Sequence, residues 1–136
     1  MKNLLLIFTL LFSALMFSSP SFAKWEKVTE NVYGYSFYVD FGRIKNKGGF
    51  VYYWELLDRL KPNKYGDLSS KTYTQGDCKL FRVKYLSFSS HKEQMGRGTG
   101  QPNKPKNPEW TYPSPNSVGE TILKIVCSIE GVSISL

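Results

Sequence analysis

The pair Cys78 and Cys127 constrains this chain more than any other feature, because the sequence holds only 2 cysteines. Cys78 stands at the head of a strand-like run, Lys79 to Ser89, and Cys127 closes a helix-like run that begins near Ser117. If the two are bonded, a strand and a helix distant in sequence are stapled into one core. Whether they bond turns on the compartment, since disulfides persist in oxidising, exported settings.

The N-terminus answers for the compartment. Lys2 supplies a positive start, Leu4 to Phe17 is apolar and uncharged, and Ser21-Phe22-Ala23 places small residues at −3 and −1 of a cleavage site. That pattern predicts a secretory signal over residues 1–23. The apolar run is about 14 residues, short of the roughly 20 of a membrane span; a retained N-terminal anchor is the alternative. No cysteine follows the cleavage point to carry a lipid, so the mature chain is expected to begin at Lys24 without a lipid anchor. Residues 24–136 suit a single domain with one core. The product is expected to be exported, periplasmic or secreted, with no transmembrane span.

In that setting two cysteines are expected to pair. The enclosed loop of about 50 residues would contribute about 4 kcal/mol in the chain-entropy model. Two free thiols or a metal site are the alternatives, but no histidine or third cysteine lies at zinc-ligand spacing. Loss of Lys2 takes one charge from the formal +7 of the whole chain, leaving +6. Such a surface favours anionic partners: acidic proteins, polyanionic glycans or lipid headgroups. Specific nucleic acid binding is not expected of an exported chain, and an ordinary soluble basic surface is the plain alternative.

Along the mature chain, Trp25 to Val28 reads as a short strand and Gly34 to Asp40 as a clearer one. In the latter Tyr33, Tyr35, Phe37 and Val39 share one parity. Asn46-Lys47-Gly48-Gly49 signals a hairpin turn, pairing Arg43 to Lys45 with Phe50 to Arg59. Phe50, Tyr52, Trp54 and Leu56 lie on one face of the second strand, opposite Val51, Tyr53, Glu55 and Leu57. Large residues on both faces mark a central strand, ended by Lys61-Pro62-Asn63.

Ser69 to Gln75 is a weaker strand, and Gly76-Asp77 is expected to turn the chain into Cys78. In Lys79 to Ser89, Phe81, Val83 and Tyr85 share one parity while Cys78, Leu80, Leu86 and Phe88 share the other. A bulge near Leu80, or burial of both faces, would reconcile them. Met95 to Gly100 carries 3 glycines and Gln101 to Pro115 carries 5 prolines, a long loop that Trp110 and Tyr112 should anchor on the sheet. Ser117-Val118-Gly119-Glu120 matches a capping box, and Val118, Ile122, Ile125 and Val126 follow at helical spacing, predicting a helix from about Val118 to Cys127. Val132, Ile134 and Leu136 alternate with serines, a short edge strand or a disordered tail. The fold class is α+β: a single antiparallel sheet of five or six strands with one C-terminal helix packed on one face.

The chemistry is sparse. His91 is the single histidine and reads as a solvated turn residue beyond a strand end. No nucleophile elbow surrounds any serine. Asp40, Asp58, Asp67 and Asp77 lie near strand ends, so a small hydrolase using paired carboxylates is an alternative function; Asp77 reads better as a structural residue beside Cys78. Gly96-Arg97-Gly98-Thr99-Gly100 lacks the ending of a phosphate loop and a following helix. No catalytic, cofactor-binding or metal residue is expected. The binding signal is diffuse instead. Arg43, Lys71, Tyr73, Lys79, Arg82 and Lys84 should fall on neighbouring strands with Lys45 and Lys47, interleaved with Tyr38 and Tyr53, while a flexible loop presents Arg97. A face mixing tyrosine with basic side chains suits recognition of a protein; it suits a homodimer contact equally.

Ser69-Ser70-Lys71, Asp77-Cys78, Met95-Gly96-Arg97-Gly98, Trp110, Pro113-Ser114 and the helix ending in Cys127 form one recurring set. In these elements the chain resembles the surface-adhesin protein E family of exported bacterial proteins. Tyr38-Val39-Asp40 and Tyr53-Trp54-Glu55-Leu56 fit less specifically. The resemblance implies a six-stranded antiparallel sheet with its C-terminal helix tied on by Cys78–Cys127. For the family's namesake it implies an outer-membrane lipoprotein that binds host matrix proteins such as vitronectin and laminin. This chain departs from that pattern in having no lipid-bearing cysteine after the signal. The expectation is therefore an exported non-enzymatic binding protein, with a hydrolase or a structural, oligomeric accessory protein as alternatives.

Overall fold

A computed structural model describes residues 23–129; the signal region before them and the Val132–Leu136 run lie outside the described residues. The elements are β1 (Trp25–Glu30), β2 (Ser36–Asp40), β3 (Lys45–Lys47), β4 (Phe50–Asp58), β5 (Ser69–Asp77), β6 (Arg82–His91) and α1 (Val118–Cys127). They build one 6-stranded sheet in the order β1-β2-β4-β5-β6, with β3 also pairing with β4. All pairings are antiparallel.

The β3–β4 hairpin turns on Gly48 and Gly49, at φ 62° and 83°, a conformation that costs a residue without Cβ little. The next hairpin departs from the expected one. β5 runs on through Gly76 and Asp77, and the turn is Cys78 to Phe81, so the last strand starts at Arg82 and not at Lys79. Asp77 organises this turn: its Oδ1 accepts the backbone N–H groups of Lys79 and Leu80, each at 3.1 Å. The bulge lies at Leu86 rather than near Leu80. Tyr73 opposes Ser87 and Thr74 opposes Tyr85, leaving Leu86 as the extra residue. Val83 and Tyr85 therefore share a face with Phe88 although their parities differ.

That face packs on α1. Val39, Val51, Tyr53 and Val83 from the sheet meet Ile122, Leu123 and Val126 from the helix, with Cys78 and Cys127 in the same cluster. The disulfide between them is formed, with Cα atoms 5.6 Å apart. Gly76 lets the helix approach: a Cβ there would stand 2.8 Å from Val51 Cγ1 and 3.0 Å from Leu123 Cδ1. The cap is close to expectation. Ser117 Oγ accepts the Glu120 N–H at 3.1 Å. The Ser117 N–H already donates to the Ser114 carbonyl, so Glu120 Oε1 reaches one residue further back and accepts from Asn116 N–H at 3.3 Å. Ser117→Ala is expected to lower stability by about 1 kcal/mol, read as a fall in the thermal midpoint with an unchanged folded spectrum.

The opposite face carries the glycine-rich loop at one end. Met95 N–H donates to Asp58 Oδ1 at 2.7 Å and Gly96 N–H to Ser69 Oγ at 2.8 Å. Gly96, at φ 71°, lies close against Leu56 and Lys71: a Cβ there would stand 3.2 Å from Leu56 Cδ1 and 3.1 Å from Lys71 Cδ. The loop is thus docked on the sheet. It also buries His91, which is 5% exposed and not the solvated residue expected. The ring bonds Ser89 Oγ at 2.8 Å and the Gly98 carbonyl at 3.2 Å, and the Gly100 backbone packs directly on it. Beyond the loop, the chain returns along β6, bridging Phe88 to Asn103 and Val83 to Thr111. These bridges occupy part of an edge that would otherwise invite pairing with other chains. Trp110 anchors the segment as expected; Tyr112, 64% exposed, does not.

Candidate partner-binding face

Strand parity puts Tyr52 and Trp54 of β4 on the side away from the helix, opposite Gln75 and Tyr73 of β5. The Trp54 and Tyr73 rings stack with centroids 4.8 Å apart, and Tyr52 adds a third ring 6.2 Å from Tyr73. At one end of β4, Phe50 meets Trp110 at 5.5 Å. Half-buried rings in a row form a semi-rigid platform with little rotamer entropy left to lose.

Cations sit around these rings. Arg43, in the single turn Phe41–Arg43, lies 5.8 Å from the Trp54 ring and 6.0 Å from Trp25. Arg82 and Lys84 lie 4.3 and 4.5 Å from Trp110, within reach of the ring quadrupole. Two carboxylates at the margins neutralise only the arginines: Asp40 Oδ2 takes Arg43 Nε at 2.6 Å, and Asp77 Oδ2 takes Arg82 Nε at 3.0 Å. Burial pushes the Asp77 carboxyl up, but the Leu80 N–H, Arg82 and the Lys79 N–H together hold it below its ordinary value. Lys45, Lys47, Lys71 and Lys84 form no ion pair among the described residues. Lys45 and Lys47 rim an open groove of about 830 Å³ floored by Phe50, Tyr52, Tyr73 and Gln75.

Of the residues singled out from sequence, Arg43, Lys71, Tyr73, Arg82 and Lys84 meet on this face. Two assignments need correction. Lys79 is exposed in the Cys78–Phe81 turn, off the strands. Tyr53 is buried against the helix, 1% exposed, and burial followed by the Glu55 charge pushes its phenol well above the ordinary value. Arg97 is exposed, but on a loop that is tied down, its Nε donating to the Gln94 carbonyl at 3.2 Å. The sequence reading omitted Phe50, Tyr52, Trp54 and Trp110 from the site. Their shared parity was visible, but not which parity faced away from the helix.

The four aspartates of the hydrolase alternative are dispersed in local bonds. Asp40 and Asp77 hold arginines, Asp58 accepts from Met95, and Asp67 pairs with Lys92 Nζ at 2.8 Å. Among the described residues, no three His, Cys, Asp or Glu side chains gather as a metal-holding group, and no helix is long and apolar enough to cross a membrane.

The described residues thus form a one-sheet, one-helix α+β domain, clamped by a disulfide, whose helix-free face is aromatic and basic. It belongs to the surface-adhesin protein E family, whose model matches residues 25–128. Structures of Haemophilus influenzae protein E share the fold. One superposes with a TM-score of 0.62 at 15% identity, covering 85% of this chain and 92% of that one. A second crystal form gives 0.61 at 14% identity, covering 79% and 90%. Protein E from a non-typeable strain gives 0.60 at 15%, covering 86% and 85%. Identity this low carries the fold and no individual contact. No curated protein matches the chain. Family membership supports an adhesin-like role.

Proposed function

We propose that this protein is an exported, non-enzymatic adhesin-like domain that binds an acidic protein surface through the helix-free face. The observation that carries the reading is the coincidence of an aromatic row, Tyr52, Tyr73 and Trp54, with lysines that have no counter-charge among the described residues. The rings supply desolvated contact area and the lysines steer an anionic partner into place. Arg97 adds to the cationic field, while Arg43 and Arg82, paired with Asp40 and Asp77, keep their guanidinium groups against the Trp54 and Trp110 rings.

Immobilised host matrix proteins, vitronectin and laminin first, provide the test. Lys45, Lys47, Lys71 and Lys84 changed together to Glu should weaken binding at least about tenfold, most of it as a slower association rate. Tyr73→Ala should weaken it through a faster dissociation rate. Binding should also fall with added salt. Unchanged affinity in the fourfold variant would remove the face from consideration. Capture of a sulfated glycan in place of every protein would change the partner class.

A further inference from the structure

The face that carries the helix is only partly covered by it. A helix of 10 residues is about 15 Å long, while the 9 residues of β4 reach about 30 Å. α1 caps the half around Val51, Tyr53 and Gly76. The other half forms a pocket of about 460 Å³, within the range of small-molecule sites, walled by Phe37, Leu57, Tyr85, Phe88, Val118 and Ile122.

One charged group stands in this apolar wall. Glu55 lines this pocket, largely enclosed by protein but with some solvent access left. Its Oε2 accepts the Thr74 hydroxyl at 2.6 Å. Among the described residues Oε1 has no hydrogen-bond partner, and no cation pairs with the carboxyl. The titratable groups that feel its charge are Tyr53 on its own strand and Tyr85 on β6, both of which it pushes up. The first turn of α1 brings Glu120, already held by Lys124 and the Asn116 N–H. An enclosed carboxylate without a counter-ion is costly. At the mouth Tyr85 and Phe88 remain 45% and 44% exposed.

We propose that this pocket binds a small amphiphilic primary amine, its ammonium group seated on Glu55 and its apolar body against Phe37, Leu57, Phe88 and Ile122. The ammonium supplies the missing counter-charge and donates to Oε1, and the aliphatic body removes the exposed ring edges from water. Burial that holds the Glu55 carboxyl up, to about 7, makes capture depend on pH. Glu55 must be ionised to hold the ligand, so binding weakens on acidification. The pocket lies across the sheet from the aromatic, basic face, and its occupancy is independent of that face's partner.

The test titrates the folded protein with n-octylamine, n-octanol and octanoate by calorimetry at about pH 8, following methyl resonances of Val118 and Ile122. Octylamine should bind at least about tenfold more tightly than octanol, the return on one charge-assisted bond, and octanoate most weakly. Glu55→Gln, which keeps an acceptor for Thr74, should reduce octylamine to the level of octanol. Phe88→Ala, on the exposed rim, should weaken both alike. Octanoate binding as tightly as octylamine, no octylamine binding in the millimolar range, or an unchanged affinity in Glu55→Gln would overturn the proposal. So would a dimer that Phe88→Ala dissociates, which would place a second copy in the pocket.

Discussion

Replacing Cys78 with serine is expected to lower the stability of the domain by about 4 kcal/mol. The bond spans 49 residues, and opening it returns to the unfolded chain the entropy that closing so long a loop removes. Both half-cystines are buried, at 9% and 4% exposure, so a serine hydroxyl at position 78 adds a desolvation cost. The effect is large because a domain of this size holds only about 5–15 kcal/mol in total. The bond also holds a helix that has a single buried stripe, Ile122, Leu123, Val126 and Cys127, and that would be marginal alone. Urea unfolding of the native protein, of Cys78→Ser and of a Cys78→Ala/Cys127→Ala pair measures the term. A loss under about 1 kcal/mol in all variants would show that packing alone seats the helix. Neither cysteine lies on the aromatic, basic face, so a variant that stays folded should keep its partner.

Where local chemistry decided the structure, it was legible. The Ser117 cap, the glycine turn at Gly48-Gly49 and the helical stripe from Val118 each act within a few residues, and each stands where the sequence placed it. The central position of β4 followed from its large residues on both sides. What stayed hidden depended on contacts distant in sequence. The two conflicting parities around Val83 and Phe88 belong to one face, because Leu86 is an inserted residue, and insertion erases the alternation on which such a reading rests. His91 looked like a solvated turn residue because its neighbours are polar. It is buried by Gly98 and Gly100 folding back over it, a contact only the assembled loop makes. Gly76 looked like turn punctuation and is instead a point where helix and sheet approach too closely for a Cβ. The proposed binding face met the same limit: its basic residues and Tyr73 were named, but Phe50, Tyr52, Trp54 and Trp110 were missed until the helix had claimed the other side.

Glu55→Gln should remove a pH dependence that the native protein carries. Burial, only partly offset by the Thr74 hydrogen bond, raises the Glu55 carboxyl from 4.5 to about 7. The folded state therefore holds this proton over a range in which the unfolded chain has released it. Between those two values the native state binds more protons than the unfolded one, so stability falls as pH rises. The loss begins near the unfolded value, is complete above the folded one, and amounts to about 3 kcal/mol. Asp77 acts with the opposite sign and in another window: its carboxyl is held below 3.8, so its contribution is lost only as pH falls beneath that value. The phenols of Tyr53 and Tyr85, pushed up from 10.0, titrate above the range. The glutamine variant keeps the acceptor for Thr74 and carries no charge. It should match the native protein at about pH 4 and exceed it by about 3 kcal/mol at about pH 8. Subtracting the two urea-unfolding curves at each pH cancels the groups that do not feel the Glu55 charge. A difference that stays flat from acid to alkaline pH would mean that the Glu55 carboxylate finds solvent in the folded state, and the pocket would then be wider and wetter than its apolar walls imply.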